Sequence, residues 1–347
     1  MVSKRPNRPI KRSPQTAEGP EKPYALVPFP RQRPFLRAPI GHHRYADNCY
    51  HGTLHLTLKV LTALHVSTGV TALGSDVGSR VPLIKTMVQG KNEQLLIQGS
   101  SLKGCIRAIY EAITNSTLAV ITNRYRQEIP KDRLPCRSKE SLCPASQVFG
   151  ALDWQGLVRF TDAICESTQS AIGFMPSLYR PRPEERNAYF NSKQAAGRKF
   201  YYHFVKAQDA GSRGIPIQQA GREYSFNTHI KFINLSEAQL GCLLIALGQD
   251  PEYPIALKLG SGKPIGMGTV IVTANSLRLI NSFQNLKERY SSFTHTGERI
   301  LDGRELKSFM NHLFKEAHKN LIEQMQLERL TRILLYPTDR EPPEGMY

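Results

Sequence analysis

Two alternating runs constrain this 347-residue chain most. Leu54, Leu56, Leu58 and Val60 interleave with Thr53, His55, Thr57 and Lys59, and Phe226, Thr228, Ile230 and Phe232 repeat the pattern much later. A period of two is what a strand with one buried face requires. Each run is followed by an apolar stripe at helical spacing. Leu102, Ile106, Ile109 and Ile113 form the first, and Leu240, Leu243, Leu244 and Leu247 form the second, opened by a capping pair, Ser236 and Gln239. Further strands are expected at 157–160, 254–259 and 268–273. The order β-α-β, an insertion, then β-α-β predicts an α+β fold of the split ferredoxin-like kind, an antiparallel sheet with helices on one face.

The first helix opens at Gln98-Gly99-Ser100-Ser101-Leu102-Lys103-Gly104. Ser100 or Ser101 is placed to cap its first turn, whose free amides and positive dipole end favour an anion. Lys103 and Arg107 stand four apart and project from one face. Gly99 and Gly104 let a ligand backbone come close. An ordinary capped surface helix has the same pattern. A second corner, Gly260-Ser261-Gly262-Lys263-Pro264-Ile265-Gly266-Met267-Gly268, is expected to turn backbone amides towards an oxyanion while Lys263 adds charge. A nucleotide P-loop needs a helix after its lysine, whereas proline and a strand follow here. A tight hairpin accounts for the same glycines.

Charge decides between anions. Lysine and arginine number 46 against 29 acidic residues, a net charge of +17, which suits a nucleic-acid phosphate. Residues 1–45 hold ten basic residues, two acidic ones and nine prolines. They are expected to form an extended arm without helix or sheet, ordered by a partner or by RNA, or else a plain disordered tail. Residues 67–93 read as a long polar loop and 170–224 as an irregular insertion. From 279 onward the chain reads as helical, with Asp302 and Glu305 as a capping pair ahead of Leu306, Phe309, Met310, Leu313, Phe314 and Ala317. Six scattered cysteines fit reduced thiols, and the longest apolar stretch, 241–247, is too short to span a bilayer. A cytoplasmic protein with no membrane partner is expected.

These motifs together resemble a known family. Gly99-Ser100-Ser101-Leu102-Lys103-Gly104, Cys143-Pro144-Ala145 leading to Val148-Phe149-Gly150, Gly156 to Ala163, and the glycine corner at 260–268 occur in the order of the RAMP superfamily of CRISPR-associated proteins. They are most similar to the backbone subunits of type III effector complexes. Gly197-Arg198-Lys199-Phe200-Tyr201-Tyr202-His203, and Asn234-Leu235-Ser236 before Leu240-Gly241, resemble a type III-D-like branch. The resemblance covers about 45–275. It implies an RRM-like core (46–278) between the arm and a helical extension (279–347), with a projecting thumb for which 170–224 is the candidate. The partners it implies are guide RNA, complementary target RNA, other RAMP subunits and the large subunit of the complex. By position, Ser100, Ser101, Lys103, Arg107, Gly260, Ser261, Gly262, Lys263, Gly266 and Gly268 are expected to contact RNA. Arg198, Lys199, Tyr201 and His203 mix charge with ring faces suited to phosphate contact and stacking, although a buried aromatic strand fits Phe200 and Tyr202 equally.

Relatives that cut RNA resemble one another in carrying an aspartate two residues before a proline, in the loop after the first strand. Here the position two residues before Pro82 is Arg80, which can be neither base nor metal ligand. Asp76, four residues earlier, is the catalytic candidate, and Mg²⁺ or Mn²⁺ is implied only if it cleaves. A guide-processing ribonuclease using one of His42, His43, His51, His55 or His65 is the other enzymatic alternative. Zinc is not expected: the second cysteine of a Cys-Pro-x-Cys element is Ser146, which leaves Cys136 and Cys143 short of four ligands.

Overall fold

The computed structural model describes residues 22–343, except 168, 179–188, 192–193, 281–286, 289, 292 and 294–296. Residues 1–21 of the expected arm and 179–188 of the expected thumb therefore lie outside the described residues.

The molecule is α+β, built on an eight-stranded antiparallel sheet. Its central strand, Tyr50–Val60, pairs with Thr269–Ile280 on one side and Ser225–Leu235 on the other. Leu257–Lys258 lies beyond the first neighbour, and Val158–Phe160, Ala163–Cys165 and Leu96–Ile97 lie beyond the second. Both alternating runs are strands, and their apolar faces join one core with helices α1 (Gly99–Ile113) and α3 (Glu237–Ala246). A six-residue helix, α2 (Pro144–Phe149), follows Cys143. The other face of the sheet is polar: Thr53 stands opposite Lys231 and Arg278, and His55 opposite His229 and Ser276.

The helical extension is part of this core. Seven residues of α3, from Leu240 to Ala246, are buried, so the helix is apolar all round and needs cover on its outer side. Helix α4 (Gly303–Asn320) supplies it through Leu306, Leu313 and Ala317, and α5 (Gln324–Leu334) packs near α1. The α3–α4 crossing is close enough that a Cβ on Gly241 would lie 2.1 Å from the Leu313 carbonyl oxygen. Gly241→Ala therefore forces the helices apart, and a loss of about 1–3 kcal/mol is expected in a denaturant titration. Ser236 and Gln239 form the expected capping box. The expected Asp302–Glu305 capping pair is not formed: Asp302 sits at the α4 N-cap without a side-chain cap bond, and the Glu305 carboxylate accepts from Arg299 at 2.7 Å.

Three expectations for the connecting segments are corrected. The 67–93 segment is a hairpin, Ser67–Leu73 with Leu83–Met87, and not a loop. The described part of the 170–224 insertion forms strands: Ala171–Met175 and Ile215–Gln219 join that hairpin in a second, four-stranded sheet. Its Gly197–Tyr201 strand pairs with Tyr24–Pro28, so the arm does form sheet despite its prolines. Arg133 fixes the arm from the other side, donating to the Pro30 and Gln32 carbonyls, with its guanidinium over the Phe29 ring.

Candidate nucleic-acid interface

Helix α1 starts where the Leu96–Ile97 strand ends. Its N-cap is Gln98, which makes no side-chain cap bond, so neither Ser100 nor Ser101 caps it. The Gly99 amide instead donates to Asp162 Oδ1 at 2.7 Å, which places one carboxylate at the helix end. Gly99 is required by packing, since a Cβ there would lie 2.5 Å from the Phe160 carbonyl oxygen. Beyond that contact Ser100 is exposed, Ser101 and Lys103 are half-buried, and Gly104 opens onto free space.

The glycine corner lies against the same end of α1. Gly260, Gly262, Gly266 and Gly268 all have φ between +67° and +93°, a region costly for other residues. A Cβ on Gly268 would also lie 1.9 Å from the Leu259 carbonyl oxygen. The amides of Ser261, Ile265, Gly266, Met267 and Gly268 donate to His65, Gly262, Lys263, Gly262 and Ala63 carbonyls respectively. The expectation that this corner offers those amides to an oxyanion is thus corrected: they are taken by carbonyls of the corner and of the adjoining 63–65 segment, and Lys263 is the charged side chain it carries.

Two adjoining grooves meet at Ser100. The larger, about 400 Å³, lies between α1 and the corner and is lined by Ser100, Ser101, Lys199, Tyr201, Lys258, Gly260 and Lys263. The smaller, about 340 Å³, runs past Lys103, Gln155 and Arg159. Among the described residues no carboxylate lines either groove. A cleft of about 840 Å³ elsewhere mixes Arg37 and Arg299 with Asp47, Glu237 and Glu316, which suits a polyanion less well. Burial, with Arg107 adding to it, pushes the Lys103 ammonium down. Lys258 is pushed down to about 7 by burial and by its neighbour Lys263. Lys199 is held over the rings of Tyr24, Tyr201 and Tyr189 at 4.6, 4.8 and 5.5 Å. The site is a cationic trough with an aromatic wall, suited to a sugar-phosphate chain and the face of a base.

Three expected contact residues, Arg198, Arg107 and His203, are engaged within the protein, and the catalytic candidate Asp76 stands apart from the trough. Arg198 is buried, donating to Glu111 Oε2 at 2.6 Å and to the Ser116 and Thr117 carbonyls. Arg107 donates to Glu111 Oε1 at 2.8 Å and completes the network. His203 is fully buried between Thr269 Oγ1 (3.0 Å) and the Ala256 carbonyl (3.1 Å), and burial pushes its imidazole down to about 3. Asp76 is exposed in the turn of the Ser67–Met87 hairpin, with Ser75 Oγ donating to it at 3.3 Å. Among the described residues no group of three or more His, Cys, Asp or Glu is placed to hold a metal ion. Cys143 caps α2, its sulfur accepting from the Ser146 amide, and Thr117 contacts both Cys143 and Cys136.

Sequence reasoning missed Lys258 and Arg159. Lys258 had a signal, a lone lysine inside the apolar run Ile255-Ala256-Leu257-Lys258-Leu259. Arg159 alternates with buried Val158 on a strand edge and faces solvent beside Gln155; with the Gln155 amide oxygen turned towards it, Nη2 donates at 2.7 Å.

A family model described as the RAMP superfamily matches residues 57–271, from the central strand through α1 and α3 to the glycine corner. No curated protein matches the chain. No helix among the described residues is long and apolar enough to cross a membrane.

Proposed function

The chain belongs to the RAMP superfamily of CRISPR-associated RNA-binding proteins, and from that premise we propose that it is a guide-RNA-holding backbone subunit of a type III effector complex. One observation carries the reading: the α1 start and the glycine corner, about 160 residues apart in sequence, line a single groove with Lys199, Lys258 and Lys263, with no carboxylate among its described lining residues. A strand order of Thr269–Ile280, Tyr50–Val60, Ser225–Leu235 and Ala163–Cys165 supports the ferredoxin-like, RRM-like description of its core. Ala171–Met175 and Ile215–Gln219 of the insertion, with the Ser67–Met87 hairpin, form the four-stranded sheet that serves as thumb in this reading. Guide RNA, complementary target RNA and neighbouring RAMP subunits are its partners, in the cytoplasm. Purification of the chain from its host with sequencing of bound RNA tests this. Short repeat-derived guides are expected; RNA of mixed origin, or none, contradicts it.

Cleavage through Asp76 has no supporting geometry, since one exposed carboxylate is a poor cation site. Asp76→Ala is expected to leave the fragment pattern of complementary RNA, incubated with the assembled complex and Mg²⁺, the same as for the wild type. Processing through His65 is disfavoured by its burial: it is 1% exposed, with Nδ1 against the Gln218 carbonyl.

A further inference from the structure

Two of the six cysteines meet beneath the loop that holds the arm. Cys136 and Cys143, 9% and 0% exposed, stand at either end of the 137–142 segment, and both are free thiols. The Cys143 amide donates to Cys136 Sγ at 3.3 Å. One hydroxyl, Thr117 Oγ1, lies 3.4 Å from Cys136 Sγ and 3.2 Å from Cys143 Sγ. The two sulfurs are also in hydrogen-bond contact with each other. A buried structural cysteine is inert when apolar groups surround it, but polar groups surround Cys143. The Ser146 hydroxyl and amide nitrogen lie 3.2 and 3.4 Å from its sulfur. Arg198 donates to the Thr117 carbonyl at 2.9 Å, which places a guanidinium close behind the pair. Donors around one sulfur and a nearby cation favour the thiolate, the nucleophilic form. In keeping with that, the Cys136 thiol beside it holds Cys143 well below the ordinary thiol range. The segment between the two cysteines grips the arm, because Arg37 and Leu142 exchange both backbone hydrogen bonds, at 3.1 and 3.0 Å.

We propose that Cys136 and Cys143 form a reversible oxidation site, a dithiol that hydrogen peroxide closes to a disulfide, locking the segment that holds the arm. The Cys143 thiolate attacks one peroxide oxygen, the O–O bond breaks, and the hydroxide released takes up the proton Cys143 had lost, leaving as water. Cys136 then displaces the oxygen of the Cys143 sulfenic acid, forming the S–S bond, and its own proton leaves with that oxygen as a second water. The two sulfurs are oxidised by two electrons in all, and the peroxide is reduced to two waters. A dithiol reductant reverses the closure by exchange. The covalent loop then encloses residues 136–143, which removes conformations open to this segment once it detaches from the arm. The site is separate from the groove and does not depend on what the groove binds.

The test treats the full chain with hydrogen peroxide, alkylates the remaining thiols and identifies tryptic peptides by mass. Arg137 and Lys139 are cut sites inside the loop, so closure appears as peptide 134–137 joined to 140–159, lighter by two hydrogens than their sum. In brief digestion of the folded chain, cutting after Arg37 is expected to slow severalfold on oxidation and to recover with dithiothreitol. Cys136→Ser is expected to abolish both effects. Should that variant fail to fold, Cys136→Ala supplies the same comparison, and the dithiothreitol recovery decides in the wild type alone. Thiols that stay open to alkylation after peroxide overturn the proposal, as does oxygen retained on Cys143 without the joined peptide. A bridge to another cysteine overturns it too, and so does a joined peptide with the cut after Arg37 unchanged.

Discussion

Replacing Lys103 and Lys263 together by alanine is expected to weaken RNA binding about a hundredfold and to flatten its salt dependence. The two lysines sit on opposite sides of Ser100, one in each groove, so a backbone passing over the α1 start meets both. A charged hydrogen bond to phosphate contributes about 1.5–3 kcal/mol, more than tenfold each. Every lost contact also removes about 0.7 from the slope of log K against log salt for a single strand, so the pair lowers it by about 1.4. No carboxylate among the described residues lines either groove, so the substitutions leave no buried partner there. The thermal midpoint should stay where it is or rise, because burial and Arg107 already disfavour the Lys103 charge. A fall in affinity together with an unchanged slope shows that the lysines act through the fold and not through phosphates.

Arg198→Met is the largest stability change expected. Its guanidinium is 9% exposed and satisfies Glu111, itself 5% exposed, together with two backbone carbonyls. Burial pushes Arg198 down, and Glu111 is the main influence holding it charged. Removing the guanidinium leaves Glu111 with Arg107 alone and two backbone carbonyls without their donor, at about 1–3 kcal/mol for each group that stays desolvated. Part of that loss propagates, because Arg198 also lies over Phe29 and its strand pairs with Tyr24–Pro28. A denaturant midpoint far below the wild type is expected, with RNA affinity of the folded fraction unaltered. A stable variant with weakened RNA binding contradicts the structural role assigned to this arginine.

Arg198 and Lys199 also show where sequence reading reaches its end. Adjacent residues on a strand point to opposite faces, so one of two neighbouring cations is buried and the other reaches the groove. Nothing in the pair says which, because the answer depends on Glu111, far away in the chain. The central strand and its partner were legible because they alternate between core and solvent. The Ser67–Leu73 strand was not, since almost every residue in it is exposed and no period survives. Tyr24–Pro28 was hidden by surrounding prolines and charges, and its strand character comes from a partner at Gly197–Tyr201. The meeting of the two glycine-rich corners was legible from motif order, but the destination of the corner's amides was not. Positive φ values and carbonyl acceptors within the corner and on the 63–65 segment, not ligand approach, explain those glycines.

The most direct measurement of the central claim is photo-crosslinking of thiouridine-labelled single-stranded RNA to the full chain, with the attached peptides read by mass spectrometry. A strand lying in the trough places crosslinks on peptides from both 99–107 and 197–201, with a third set at 258–263. Crosslinks confined to the cleft around Arg37, Glu237 and Arg299, or to only one of the two corners, contradict a shared grip.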